Sequence, residues 1–346
     1  DIAEDNSGSL WLALQGAGLA RIDPRTGSAR LLRSDARIAG SLPENSLRDL
    51  FVDRSGLLWV GSDLQGLAYT DPAGARFTYL YDTEVGDREV DANNVRSLLA
   101  DGAGALWIGS EGDGLRRYDF AQRRFDSHKA ELAALLAPGE SQVRVRVNAI
   151  ANAGNGELWV ATHRGMLRYD PATRTGRALA VAAERSDALP DADVRSLATG
   201  ADGSLWIGTL NGGLVRYEPA RERWERFPAA SADGAAGLWH PSVMALHEDR
   251  SGRVWIGTLG GLNVYERATG RLHKIAARSG DNQGLAGDRV RSILETANGD
   301  IWIGTHNGLN RLLSYENGQA RFHAYLISDG LANDTIYSLL EDADGR

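Results

Sequence analysis

The sequence predicts an all-β fold, a seven-bladed β-propeller of four-stranded antiparallel blades, on three observations. An apolar-Trp-apolar-small-small motif recurs seven times: Leu10-Trp11-Leu12-Ala13-Leu14, Leu58-Trp59-Val60-Gly61-Ser62, Leu106-Trp107-Ile108-Gly109-Ser110, Leu158-Trp159-Val160-Ala161-Thr162, Leu205-Trp206-Ile207-Gly208-Thr209, Val254-Trp255-Ile256-Gly257-Thr258 and Ile301-Trp302-Ile303-Gly304-Thr305. The Trp-to-Trp steps are 48, 48, 52, 47, 49 and 47 residues, the size of one four-stranded blade. The 41 glycines fall where turns are needed between the apolar stretches.

The third repeat shows the order of elements. Asn94-Val95-Arg96-Ser97-Leu98-Leu99 reads as strand A, closed by a hairpin turn at Asp101, Gly102 and Gly104. Leu106 to Ser110 is strand B, and Glu111-Gly112-Asp113-Gly114 is a loop. Leu115 to Asp119 is strand C, and Arg124-Phe125-Asp126-Ser127 a weaker strand D. Other repeats copy strand C and end it with an acid and a proline, as in Asp71-Pro72, Asp170-Pro171 and Glu218-Pro219; proline suits a strand end because it donates nothing to the ladder. Strand B explains its own composition. Side chains alternate, so Trp and the glycine two residues on share a face, and the glycine leaves room for a bulky group from the neighbouring sheet. Each buried Trp removes roughly 150–250 Å² from water, about 4–6 kcal/mol gross. These seven tryptophans are core, not binding, residues.

Blades are expected over 1–34, 46–82, 94–130, 146–181, 193–228, 242–276 and 289–327 within one domain spanning 1–346. The two ends spell the same strand A and hairpin, Glu4-Asp5 aligning with Glu341-Asp342. Residues 334–346 are therefore expected to displace the stub at Ile2 and Ala3 as innermost strand of blade 1, or to begin a further repeat of a longer protein.

A formal charge of −8 with scattered basic residues argues against nucleic acid as partner. The absence of cysteine excludes disulfides and thiolate zinc. No run of 18 apolar residues offers a membrane span.

Units of the form Asn-x-Val-x-Ser-Leu-x-x-Asp-x-x-Gly-x-Leu-Trp-Ile-Gly-Thr-x-x-Gly-Leu-x-x-Tyr-Asp, closest in Asn94 to Asp119, Asp193 to Glu218 and Ser242 to Glu266, resemble the two-component regulator propeller repeat. The resemblance spans essentially the whole chain, with local departures at Ala13-Leu14 and Ala161. It implies a periplasmic sensor region of a bacterial membrane receptor, whether histidine kinase, hybrid two-component system or diguanylate cyclase. It further implies an oligosaccharide or other small ligand, with neighbouring domains of the receptor or a second copy as partners.

A propeller offers ligands the loops of one face and the channel mouth. The B-to-C loops supply Asp63, Glu111, His163, Asn211 and His306, side chains suited to sugar hydroxyls, although polar loop tips are usually just solvated. Among the D-to-A connections, 129–144 is the longest loop, and 231–241 carries Trp239-His240 outside the core register, suited to stacking on a sugar ring or to capping a blade edge. In strand A the residue after the apolar anchor is Arg48, Arg96, Arg195 and Arg291 in four blades, with Asn148, Met244 and Tyr337 in others. Four arginines near the axis would repel unless matched by loop acids or by a bound carboxylate, sulfate or phosphate. An acidic oligosaccharide on this ring is the sharper expectation.

Catalysis is not expected. Asp53-Arg54-Ser55-Gly56 and Asp249-Arg250-Ser251-Gly252 resemble the structural Asp-box hairpins of sialidases, and no facing carboxylate pair stands out for glycoside hydrolysis. Nor is a cofactor or metal site expected: Asp342-Ala343-Asp344-Gly345 starts a calcium-loop pattern without its distal Glu. The competing functions are a ring that binds only protein partners and a polysaccharide-active propeller enzyme.

Overall fold

Strand B alternation with a Trp on one face and branched residues on the other forces burial on both sides, and each repeat satisfies it as one sheet packed between others. The computed structural model describes residues 2–4, 9–23, 28–35, 40–52, 56–71, 78–80, 94–101, 104–140, 143–230, 237–278, 283–296, 298–329 and 335–336. The fold is a seven-bladed β-propeller of four-stranded antiparallel sheets, each sheet in the order A-B-C-D of the chain. Blade 1 is β1 (Ile2–Glu4), β2 (Leu10–Leu14), β3 (Gly18–Ile22) and β4 (Ala29–Leu32), and blade 2 is β5 (Leu47–Val52), β6 (Leu58–Ser62), β7 (Leu67–Thr70) and β8 (Thr78–Leu80). Blade 3 is β9 (Val95–Ala100), β10 (Ala105–Ser110), β11 (Leu115–Asp119) and β12 (Arg124–Ser127), and blade 4 is β13 (Val147–Gly154), β14 (Glu157–Thr162), β15 (Gly165–Asp170) and β16 (Thr175–Ala178). Blade 5 is β17 (Val194–Thr199), β18 (Leu205–Thr209), β19 (Leu214–Glu218) and β20 (Arg223–Phe227), and blade 6 is β21 (Val243–Glu248), β22 (Arg253–Thr258), β23 (Gly261–Glu266) and β24 (Arg271–Ile275). Blade 7 is β25 (Val290–Glu295), β26 (Ile301–Thr305), β27 (Gly308–Glu316) and β28 (Gln319–Tyr325).

The chain forms two compact units, residues 82–248 and residues 1–81 with 249–346. In the first, the strand-B glycines fulfil the packing role their sequence position implies. A Cβ on Gly109 would lie 2.3 Å from Ser97 Oγ in its own blade and 2.7 Å from Val147 in the next. On Gly208 it would meet Ser196 Oγ at 2.2 Å and Val243 at 2.6 Å. The departure at Ala161 has a matching cause: it pairs with Ala149, which has no Oγ, so a methyl is admitted where serine faces glycine in blades 3, 5 and 7. Trp107, Trp159 and Trp206 are buried beside arginines of strand C directly across the ladder, the guanidiniums of Arg117, Arg168 and Arg216 lying 5.6–5.9 Å from the ring centroids. Such cross-strand pairs add cation–π attraction and cover the ring with an aliphatic stem.

The segment after blade 3, read from sequence as a loop, is in fact a helix, α1 (Lys129–Leu136). Its composition of Ala, Leu, Lys and Glu is among the best helix formers, and Ala137-Pro138-Gly139 stops it. Leu132 anchors it in a cluster with Val143, Val145 and Val147, so burial of one apolar side chain fixes an element that loop-length reasoning overlooks.

In the second unit the same glycine rule operates at Gly304, whose Cβ would lie 2.2 Å from Ser292 Oγ and 2.6 Å from Ile336. Ile336 therefore fills the position that Val147 and Val243 fill elsewhere. It bridges Leu14 and joins the cluster of Leu10, Leu12, Leu14 and Trp302, while Ile2–Glu4 pairs with Leu10–Leu12 on the same strand B. Both chain ends thus contribute to the innermost strand of blade 1; residues 337–346, including Tyr337 and the calcium-loop pattern, lie outside the described residues. The Asp-box turn at Asp249 is structural: its Oδ1 accepts from the Ser251 and Arg253 amides and its Oδ2 from Trp255 Nε1–H at 2.8 Å. Residues 53–55 of the other such turn lie outside the described residues.

Candidate functional site

One irregularity of the ladder positions most of the candidate side chains. In blades 2, 3, 4, 5 and 7 the A–B register slips by one residue, and the extra residue is Arg48, Arg96, Asn148, Arg195 or Arg291. A bulge of this kind leaves one residue outside the pairing and re-aims its side chain. The residue just after strand B is held close by: the amides of Asp63, Glu111, His163, Leu210 and His306 donate to the carbonyls of Ser46, Asn94, Arg146, Asp193 and Arg289, each immediately before strand A. Every such blade therefore presents three side chains together, from the position before strand A, from the bulge and from the start of the B–C loop.

In blades 3 to 5, all within the unit 82–248, these trios join into one polar ladder. Arg96 Nε pairs with Glu111 Oε2. Arg146 Nη1 lies 3.6 Å from Glu111 Oε1, and Arg146 Nη2 donates to Asp193 Oδ2 at 2.9 Å. Arg195 Nη2 donates to the same Oδ2 at 2.7 Å, and Asn148 Nδ2 to Asp193 Oδ1 at 3.2 Å and to the Val194 carbonyl at 2.8 Å. These contacts bring three guanidiniums onto two carboxylates. Arg146 Nε, Arg195 Nε and Asn148 Oδ1 are buried with no hydrogen-bond partner among the described residues, a cost that proteins ordinarily avoid. His163 accepts from the Arg146 amide through Nδ1 at 3.1 Å. Burial, seconded by the Arg146 charge, lowers its pKa. The neutral ring therefore carries its proton on Nε2.

The remaining candidates are placed separately. Asn211 is exposed and its amide donates to Asp191 Oδ2. Trp239 is 41% exposed beside fully buried Leu238, and His240 Nδ1 accepts from the Ser242 amide at 3.0 Å. In the unit formed by 1–81 and 249–346, Arg48 pairs with Asp63. His306 Nδ1 accepts from the Arg289 amide at 3.3 Å, repeating the geometry of His163, and lies 3.6 Å from Asp288 Oδ1. Arg291 is half-buried on β25. Sequence reasoning picked Arg96, Arg195 and Glu111 but missed Arg146 and Asp193, which tie them together. Aligning the position before each strand A (Ser46, Asn94, Arg146, Asp193, Ser242, Arg289) would have exposed them. Among the described residues no group of His, Asp or Glu is arranged to hold a metal ion.

The two-component regulator propeller family matches residues 89–112, 188–211, 237–260 and 284–307. No curated protein matches the chain. Among solved structures it is similar to the extracellular domain assigned to a hybrid two-component system of B. thetaiotaomicron, at TM-score 0.64 and 19% identity, covering 100% of this chain and 48% of that one. It is also similar to virginiamycin B lyase from Staphylococcus aureus, at TM-score 0.61 and 13% identity over 86% and 88% of the two chains. A third likeness is to PorZ, a bacterial surface component of the type-IX secretion system of Porphyromonas gingivalis, at 0.62 and 18% over 98% and 51%. The chain spans about half the length of the first and third of these. Likeness at such identities establishes the propeller fold alone.

Proposed function

We propose, on the premise that the chain carries two-component regulator propeller repeats between residues 89 and 307, that it is the extracytoplasmic ligand-binding sensor segment of a bacterial membrane signalling receptor. Its ligand is an acidic oligosaccharide or similar small anion, taken by the ladder of Arg96, Arg146, Asn148 and Arg195. The observation that carries this reading is the meeting of three guanidiniums in that ladder, with the Nε–H donors of Arg146 and Arg195 buried and unpartnered among the described residues. Guanidinium forks recognise carboxylate and sulfate oxygens bidentately, and low local dielectric strengthens the bond. The clustered guanidinium donors support an anion over a neutral sugar, and the neutral His163 ring beside them offers a further donor for a hydroxyl. No helix among the described residues is long and apolar enough to cross a membrane, which accords with a segment lying outside the bilayer.

A thermal-shift comparison of a neutral disaccharide, its uronic-acid counterpart and the sulfated form tests the reading. The acidic sugars raise the melting temperature and the neutral one does not. Equal shifts from all three would remove the anion argument. No shift from any of them, alongside concentration-dependent dimerisation, would favour a propeller that binds only protein partners.

A further inference from the structure

The chain carries five Asn-Gly pairs, at Asn155, Asn211, Asn298, Asn307 and Asn317. In such a pair the amide nitrogen of the glycine can attack the asparagine's own side-chain carbonyl, because glycine has no Cβ to crowd the approach. An intact tight turn holds the two groups apart, so the reaction runs through the opened turn. Its rate at each pair is therefore set by how much structure must be undone to open it.

Four of the five are tied down. The Gly212 amide donates to Thr209 Oγ1 at 2.9 Å and the Gly299 amide to the Thr296 carbonyl at 2.8 Å, so both nucleophiles are engaged. Asn307 donates through Nδ2 to the Ala286 carbonyl at 3.0 Å, which holds the group under attack, and Gly308 is paired with Thr305. Asn317 and Gly318 close the β27–β28 hairpin, where the pairs Ser314 with Arg321, Tyr315 with Ala320 and Glu316 with Gln319 run unbroken from the bulge to the turn. That tip also leans on blade 6: a Cβ on Gly318 would run into the His273 ring, and the Tyr315 hydroxyl donates to Glu266 Oε1 at 3.1 Å.

Asn155 differs on every count. It and Gly156 form the tip of the β13–β14 hairpin, both exposed and both in the left-handed region, with φ of 53° and 81°. Among the described residues neither the Asn155 side chain nor the Gly156 amide makes a hydrogen bond. A Cβ on Gly154 or on Gly156 would meet nothing within 4 Å, so no neighbour braces the turn. The ladder behind the tip is itself broken, since β13 slips register between Asn152 and Gly154, and the Gly154–Glu157 pair alone stands between that bulge and the turn. Opening the tip costs that one pair.

We propose that Asn155 is a site of spontaneous covalent modification, losing its side-chain amide as ammonia ahead of the other four asparagines. Hydroxide takes the Gly156 amide proton, and the nitrogen bonds to Asn155 Cγ. The Cγ–Nδ2 bond then breaks, and the departing nitrogen takes a proton from water and leaves as ammonia, which regenerates hydroxide. Water opens the resulting cyclic imide at one carbonyl or the other, giving aspartate or its β-linked isomer. Either product places a new carboxylate next to Glu157, at the edge of a cleft of about 490 Å³ between blades 3 and 4 that Asn152, Gly156 and Glu157 help to line. The modification is independent of the arginine ladder, and failure of either leaves the other's test intact.

The test incubates the full chain in mildly alkaline buffer, folded and in urea, and follows each asparagine by peptide mass spectrometry with heavy-oxygen water marking conversion. The urea rates give the intrinsic reactivity of each pair, by which the folded rates are divided. The expected result is that folding slows Asn155 least, by about fivefold or more less than Asn211, Asn298 and Asn307, the factor that one further hydrogen bond represents, with Asn317 between. Amide hydrogen exchange in the folded chain should be faster at Gly156 than at Gly212, Gly299 and Gly308. Asn155→Gln should remove the leading conversion and leave the other four rates unchanged. Protection of Asn155 equal to that of Asn211, Asn298 or Asn307, or exchange at Gly156 no faster than at Gly212 and Gly299, would overturn the proposal.

Discussion

The strand-B interior and the strand-A bulge belong to the same repeat, yet one is nearly uniform and the other changes from blade to blade. At strand B the Trp recurs seven times, and glycine stands two residues on in five blades. At the bulge, Arg48, Arg96, Asn148, Arg195 and Arg291 succeed one another, with Ser46, Asn94, Arg146, Asp193 and Arg289 two residues before them. The difference is one of packing tolerance. At Gly109, Gly208 and Gly304 the strand-B glycine is enclosed by its own blade's serine and a branched side chain, so a single methyl has no room. A bulged side chain leaves the ladder and, in blades 3 to 5, meets other variable positions such as Glu111 and Asp193, so its identity is less constrained by packing. The repeat therefore divides into a part that specifies the fold and a part that, under the proposed function, carries recognition.

The comparison can be broken most forcefully at the tryptophans. Trp206→Ala is expected to destabilise by about 3–5 kcal/mol, read by chemical denaturation. It removes a fully buried ring and the hydrogen bond from Nε1 to Glu248. Gly208→Ala should cost about 1–3 kcal/mol through overpacking against Ser196 and Val243. The double variant Gly208→Ala with Ser196→Ala recreates the blade 4 arrangement and should recover part of that loss; if it recovers none, the explanation offered for Ala161 is incorrect. A smaller effect comes from pH. His128 has a folded-state pKa below the unfolded value of 6.5, so the unfolded chain binds the extra proton and stability is lost as pH falls from about 6.5 toward the folded pKa. The slope of unfolding free energy against pH in that window should flatten in His128→Gln, with His163 contributing in the same direction. Smallest is Arg168→Ala, about 0.5–1 kcal/mol, since the cation–π contact with Trp159 lies at a half-exposed guanidinium.

The division also explains what could be read without coordinates. Seven Trp anchors at near-constant spacing carry blade count, strand order and the direction of strand-B packing, because burial on both faces writes a dense pattern into five residues. Arg96 and Arg195 were recognisable as an arginine recurring after the apolar anchor of strand A, and Glu111 as a polar residue opening a B–C loop. The bulge was not, because a single inserted residue changes the aim of a side chain without changing composition. Arg146 and Asp193 were hidden for the same reason: they matter through neighbours 45–47 residues away. Helix α1 was obscured by the strength of the β pattern around it. The pairing of His128 with Tyr169 spans 41 residues and two blades, and His128 lies outside the repeat motif.

The central claim is that the bulge positions recognise and the strand-B positions hold the fold. Calorimetric titration of the wild type, Arg195→Ala and Arg146→Ala with a sulfated uronic disaccharide, paired with unfolding curves on the same samples, tests it most directly. The account predicts that each arginine variant loses about tenfold or more in affinity while its unfolding midpoint stays close to that of the wild type. Unchanged affinity in both variants, or a loss of stability as large as that of Gly208→Ala, would contradict it.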